Sequence, residues 1–208
     1  GYGTISLGKA MELSSNIGVS YMVDHFYHNN PERFVKGIWR TGINDPNISI
    51  PIEGHARPSI RMPERYPNGQ WKNWSKTALL WMSIGYETQI PPIYTLTFYN
   101  AIANNGRMMQ PRFVKATVKN GDTLTAYPPQ VVKGREQIAS EKTIKIMQDL
   151  LHRVVINGTG KKANSPNFWV CGKTGTAMIA KNGSYKGAPN HLLSFAGWFG
   201  QKDRPYYS

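Results

Sequence analysis

Cysteine is almost absent from this chain. The single Cys171 excludes an internal disulfide. Metal-ligand spacing is missing too: His25 and His28 stand three apart, but no carboxylate or third ligand is placed to complete a site, so no metal is expected. No apolar run approaches the ~20 residues needed to span a bilayer, and no signal peptide opens the chain. Acidic residues are scarce, 12 against 25 Lys and Arg, which leaves a formal net charge of +13. That balance alone suits a polyanion binder. The basic residues are scattered, however: Lys9, Arg33, Arg57, Arg107, Lys133, Lys161 and Lys202 share no stripe. Without an RNP, zinc-knuckle or helix-turn-helix pattern, no nucleic acid is expected as a partner. Internal repeats and low-complexity tracts are also lacking.

What is present suits one domain over residues 1–208, with 40% hydrophobic and 12% aromatic residues to build a core. Amphipathic segments run from Leu7 to Leu13 and from Ile17 to Phe26. Pro31 and Glu32 open a helix that runs to about Arg40. Pro91-Pro92 opens another, with Leu96, Tyr99, Ile102 and Ala103 on one face and Gly106 in the C′ role. Ser140 caps a third, in which Ile144, Met147, Leu150, Leu151, Val154 and Val155 recur at helical spacing. Strand signals lie at 112–118, 168–179 and 191–199. Asn182-Gly183 between the last two predicts an antiparallel hairpin with a long tip. The stretch about 44–74 reads as an insertion; from Gly54 to Trp74 it is rich in Pro, Arg and Gly without a period, as expected of an irregular surface excursion.

The most informative string is Cys171-Gly172-Lys173-Thr174-Gly175-Thr176-Ala177, set among β-forming residues. Side chains alternate faces along a strand, so Lys173 and Gly175 point one way and Thr174 and Thr176 the other. A cation, a glycine that clears space and two hydroxyls along one edge make a docking rail for an anionic, extended ligand. Cys171 abuts this strand, but Trp169 and Val170 beside it favour a buried, inert thiol. Far upstream, Ser14-Ser15-Asn16 sits between two amphipathic segments. By itself it reads as a helix cap, with Ser15 or Asn16 opening the second helix. The chain holds one Ser-x-x-Lys string, Ser6-Leu7-Gly8-Lys9. It lies too close to Ser14 for two separate elements to converge, and Gly8 suits a rigid first turn poorly. Ser6 is therefore read as an ordinary cap or turn residue.

Lys-Thr-Gly, Ser-x-Asn and Ser-x-x-Lys form the signature set of penicillin-recognising enzymes. On Ser14-Ser15-Asn16 and Lys173-Thr174-Gly175-Thr176, the chain resembles the transpeptidase domain of class B penicillin-binding proteins, most like the septal (cell-division) type. Gly1-Tyr2-Gly3-Thr4, Ser83-Ile84-Gly85-Tyr86-Glu87, Asn100-Ala101-Ile102-Ala103-Asn104-Asn105-Gly106, Asn157-Gly158-Thr159-Gly160 and Ser194-Phe195-Ala196-Gly197-Trp198-Phe199 carry the likeness along the chain. The resemblance implies an α+β class: a partial penicillin-binding protein/β-lactamase-like transpeptidase fold, an antiparallel sheet packed against helices. It implies a serine-type D,D-transpeptidase that cross-links peptidoglycan stem peptides ending in D-Ala-D-Ala and is acylated by β-lactam antibiotics, without metal or organic cofactor. Ser14, Asn16 and Lys173 are the implied catalytic residues; Thr174, Gly175 and Thr176 are the implied substrate-binding ones. The family's nucleophilic Ser and its Lys lie upstream of Ser-x-Asn and have no match here. Tyr206-Tyr207-Ser208 falls where the family's last strand begins. The expectation is a fragment, itself inactive, with exposed strand edges, exposed apolar surface and a tendency to self-associate. The parent is expected at the cell envelope, on the periplasmic face of the inner membrane, with cell-division proteins of the envelope as partners. A non-catalytic β-lactam sensor or cell-wall scaffold is an alternative, as is a D-alanyl-D-alanine carboxypeptidase. The class A β-lactamase version is disfavoured, its Glu-bearing loop not being evident.

Overall fold

The computed structural model describes residues 3–179, 190–201 and 204–207. Three helices come first. α1 (Leu7–Glu12) starts at Ser6, whose Oγ accepts the Lys9 amide. α2 (Asn16–Tyr27) starts at Ser15, whose Oγ accepts the Gly18 amide at 3.1 Å. α3 (Pro31–Arg40) combines an Asn30 cap with proline at its first position, where a missing N–H is harmless. Then come β1 (Ser59–Ile60), α4 (Ala78–Ser83), β2 (Thr88–Gln89) and α5 (Pro92–Ala103). After them follow β3 (Ala116–Lys119), β4 (Asp122–Ala126) and α6 (Glu141–Asn157), then a 3₁₀ turn at Lys161–Ala163. The chain closes with β5 (Trp169–Met178), β6 (His191–Gln201) and β7 (Arg204–Tyr207).

The last three strands form one antiparallel sheet in the order β5-β6-β7, and Lys173 stands opposite Ala196 in an unbroken β5–β6 register. The expected antiparallel pair is therefore present; the tip at 180–189 lies outside the described residues. β5 is an edge strand of this sheet. Ile102, Ala103, Leu151, Cys171 and Trp198 make one buried cluster that glues α5 and α6 to the sheet. Each such fully buried side chain contributes about 1.5–3 kcal/mol. Gly197 allows this packing, because a Cβ there would overlap the Cys171 carbonyl. A second cluster joins α2, α3 and α4 through Val23, Val35, Ala78, Leu79 and Met82. Exposed apolar surface is present as expected: Leu192 and Leu193 on β6 are 62% and 72% exposed.

Three readings of the sequence need correction and one needs refining. The 54–74 stretch is irregular and mostly exposed, as expected, but it is anchored: Ile60 and Trp74 are buried, as are Ile48 and Ile50 just before it. β1 also pairs with β2. Its irregular backbone is held by isolated apolar anchors, which leave no period to detect. The strand signal at 112–118 is shorter and later than expected and is half of a hairpin. Asn120 and Gly121, both at positive φ, supply the tight turn that joins its two strands. At the end of α5, Asn105 (φ 54) takes the left-handed position, and the Gly106 amide bonds the Ala101 carbonyl one step further on. Leu96, assigned to the buried face of α5, is exposed; Tyr94, Thr97, Ala101, Ile102 and Ala103 are the buried residues.

Candidate active site

Ser14 is held in place by the way α1 ends. Its amide bonds the Met11 carbonyl at 3.1 Å, and the Ser15 amide bonds the Ala10 carbonyl at 2.8 Å. This is a Schellman turn, and Ser14 occupies the left-handed position with φ 52, where glycine is usual. The same three residues thus end one helix and begin the next. Ser15 is the cap expected from the sequence, and its neighbour Ser14 is turned outward to the sheet.

Lys173 comes to Ser14 from the far end of the chain. Its ammonium donates to Ser14 Oγ at 2.7 Å and to the Thr174 carbonyl at 2.9 Å. Its flexible stem carries the head round the strand edge, so Lys173 and Thr174 meet although their side chains leave on opposite faces. Burial pushes the Lys173 ammonium below its ordinary range. Beside it, Thr174 Oγ1 lies 2.7 Å from Thr159 Oγ1, just past the end of α6. Thr159 is a site residue to which the sequence motifs assign no role; its one local signal is a hydroxyl between Gly158 and Gly160 at a helix end.

Three contacts reveal which way the β5 backbone faces. Val170 presents its carbonyl to His152, Thr174 its carbonyl to Lys173, and Met178 its amide to Tyr86 Oη. His152 and Tyr86 lie off the sheet, and the Lys173 head reaches round the strand edge from within β5. In an antiparallel ladder the N–H and C=O of one residue face the same side. Val170, Gly172, Thr174, Thr176 and Met178 therefore turn both groups to the free edge. This edge, flanked by Ser14, Lys173 and Thr159, is where an extended anionic ligand can be laid.

The remaining site residues are placed less tightly. Asn16 is exposed at the first position of α2 and lines a groove with Ile17, Ser20, Tyr21, Leu80 and Trp81; among the described residues its amide has no hydrogen-bond partner. Thr176 is exposed on the same free edge. Gly175 does clear space, but its own chain fills it: a Cβ there would come within 2.5 Å of Ser194 Oγ. Ser6 and Lys9 stand apart from the site, the former capping α1 and the latter bonded to Glu12. Cys171 is fully buried and its thiol is pushed up to about 12 by desolvation, as suits an inert core residue.

The family described as penicillin binding protein transpeptidase domain matches residues 1–208. Stage V sporulation protein D of Bacillus subtilis is 32% identical over 123 residues, 59% of this chain and 19% of that protein. Penicillin-binding protein PbpB of Mycobacterium tuberculosis is 31% identical over 173 residues, 79% of this chain and 23% of its own length. Among solved structures, the D,D-transpeptidase domain of a peptidoglycan glycosyltransferase from Eggerthella lenta superposes with a TM-score of 0.72 at 26% identity. That match covers 98% of this chain and 47% of the other. The chain thus spans about a fifth to a quarter of the curated relatives it matches.

Proposed function

Since this chain belongs to the penicillin binding protein transpeptidase domain family, we propose that it supplies the Ser-x-Asn and Lys-Thr-Gly parts of a serine D,D-transpeptidase. The observation that carries this reading is the 2.7 Å bond between Lys173 and Ser14, which joins two motifs 159 residues apart beside an open strand edge. In this reading the donor is a stem peptide ending in D-Ala-D-Ala, laid along β5. The Thr174 and Thr176 hydroxyls grip its terminal carboxylate. The outward Thr176 amide donates to the oxyanion that forms on the scissile carbonyl. Asn16 holds the substrate backbone from the α2 side. Ser14 accepts from Lys173 and keeps its own proton to pass to the departing amine, as a hydroxyl that both donates and accepts is able to do. In this reading the serine that takes the acyl group belongs to another Ser-x-x-Lys, not to Ser6-Leu7-Gly8-Lys9, which caps α1, and this chain alone is not acylated.

Penicillins acylate the same serine by presenting a strained amide beside a carboxylate. A solved structure of penicillin-binding protein 3 from Mycobacterium tuberculosis contains ampicillin, and this chain shares its fold with a TM-score of 0.70. Relatives named peptidoglycan D,D-transpeptidase FtsI homolog and probable peptidoglycan D,D-transpeptidase FtsI support a parent that works at the cell envelope in peptidoglycan synthesis. No helix among the described residues is long and apolar enough to cross a membrane. The test is intact mass after incubation with a penicillin. A full-length protein gains one β-lactam, its Lys173→Ala variant gains almost none, and this chain by itself gains none. Unchanged acylation in the Lys173 variant would refute the assignment, and an adduct on this chain would move the nucleophile to a serine within it.

A further inference from the structure

Among the described residues, Glu12 is the one buried carboxylate beside the site that the proposed chemistry does not use. It is 2% exposed, at the last position of α1. Its Oε1 accepts Arg153 Nε at 2.7 Å and stands 2.6 Å from Nη2, while Oε2 accepts the Lys9 ammonium at 3.1 Å. The Lys9 bond and the Arg153 guanidinium hold its carboxyl below the ordinary carboxylate range. The Glu12 carbonyl accepts the Thr159 amide at 3.0 Å. Two glycines make room for this arrangement. A Cβ on Gly8 would stand 3.1 Å from Arg153 Nη1, and a Cβ on Gly158 would overlap the Glu12 carbonyl. Gly8, unfavourable for a helix, is thus accounted for by the guanidinium it admits.

The contacts close a ring. From Glu12 the chain runs two residues to Ser14, which holds Lys173. From its carbonyl the ring runs through Thr159 to the Thr174 hydroxyl, the next residue on β5. We propose that Glu12 is a positioning residue that sets Ser14 against the Lys173-Thr174 edge by locking the end of α1 to the end of α6. A forked guanidinium bonded to a buried carboxylate fixes direction as well as distance, which an apolar contact would not. The inference rests on the acyl-transfer reading for its activity arm only.

Two variants test it: Glu12→Gln, which keeps the shape and removes the charge, and Arg153→Lys, which keeps the charge and removes the fork. Two quantities are read on folded protein. One is the second-order rate of acylation by benzylpenicillin in the full-length protein. The other is the titration of Lys173, followed by carbon-13 NMR of labelled lysine in this chain. Glu12→Gln and Arg153→Lys are expected to slow acylation roughly ten- to hundredfold. Both should return the Lys173 titration toward that of an ordinary lysine. A merely structural Glu12 would lower thermal stability and leave the folded fraction with the wild-type rate and titration; that result overturns the proposal. If Glu12→Gln does not fold, Arg153→Lys decides it. A wild-type protein that is not acylated defeats the acyl-transfer reading, and the lysine titration then settles the role of Glu12 alone.

Discussion

The left-handed backbone at Ser14 can be separated from its hydroxyl by two substitutions. Ser14→Ala and Ser14→Gly both delete the Oγ that Lys173 bonds at 2.7 Å. They differ only in how well they tolerate φ 52. A left-handed conformation costs an L-residue with a Cβ about 1–2 kcal/mol. Glycine escapes that penalty but gives up roughly 0.5–1 kcal/mol of extra freedom in the unfolded chain. The difference favours glycine by about 0.5–1 kcal/mol, or about 1–4 °C in melting temperature for a chain of this size. Against wild type, Ser14→Ala loses a charge-assisted hydrogen bond that is exposed and therefore contributes about 1 kcal/mol. Ser14→Gly recovers most of that loss and melts close to wild type. Thermal unfolding followed by circular dichroism orders the three proteins. In the full-length protein, acylation by a penicillin should be severely reduced in both variants. Equal melting of the Ala and Gly variants would remove the strain argument. Wild-type acylation in either would remove Ser14 from the chemistry.

Further expectations concern the sheet. Burial lowers the Lys173 ammonium below 10.5, so between its folded value and 10.5 the unfolded chain holds a proton the folded chain has shed. Stability carried by this group therefore rises with pH across that window, and Lys173→Met should flatten that part of a pH series of denaturation midpoints. The Cys171 thiol, at about 12 and fully buried, should stay unreactive to a thiol-exchange reagent at pH 8 until the chain is unfolded. Rapid labelling of native protein would contradict the core packing. Gly197→Ala forces a methyl onto the Cys171 carbonyl and should destabilise the sheet by about 1–3 kcal/mol, read as a fall in urea midpoint. A neutral result would mean that β5 and β6 are not as close as described.

Where the sequence carried a local signal, the fold could be read from it. Pro31 with Glu32, the Ser140 cap and the β-rich flanks of Lys173 all announce elements through capping or propensity, and those elements stand where expected. The two motif segments were legible because their residue types are rare in combination. What failed lacked a short-range signature. Ile48, Ile50, Ile60 and Trp74 are buried one at a time along irregular backbone, and no period reports such burial. Thr159 and Glu12 matter through partners in distant parts of the chain, Thr174 and Arg153. Neither residue type is unusual at a helix end, so only three-dimensional proximity identifies them. The hairpin around Asn120-Gly121 is different: it has a turn signal, but its two strands are short and exposed and carry no apolar alternation to go with it.

The outward orientation of alternate β5 residues makes the strand edge a ruler. Groups that face a ligand recur every second residue, about 6.8 Å apart along the strand. Thr174 and Thr176 are successive marks on that scale. A peptide laid antiparallel or parallel to them is contacted at every other residue and ignored between. Slipping by one residue would present its blank positions to both marks at once, so the spacing would disfavour an extended ligand docked one residue out of register.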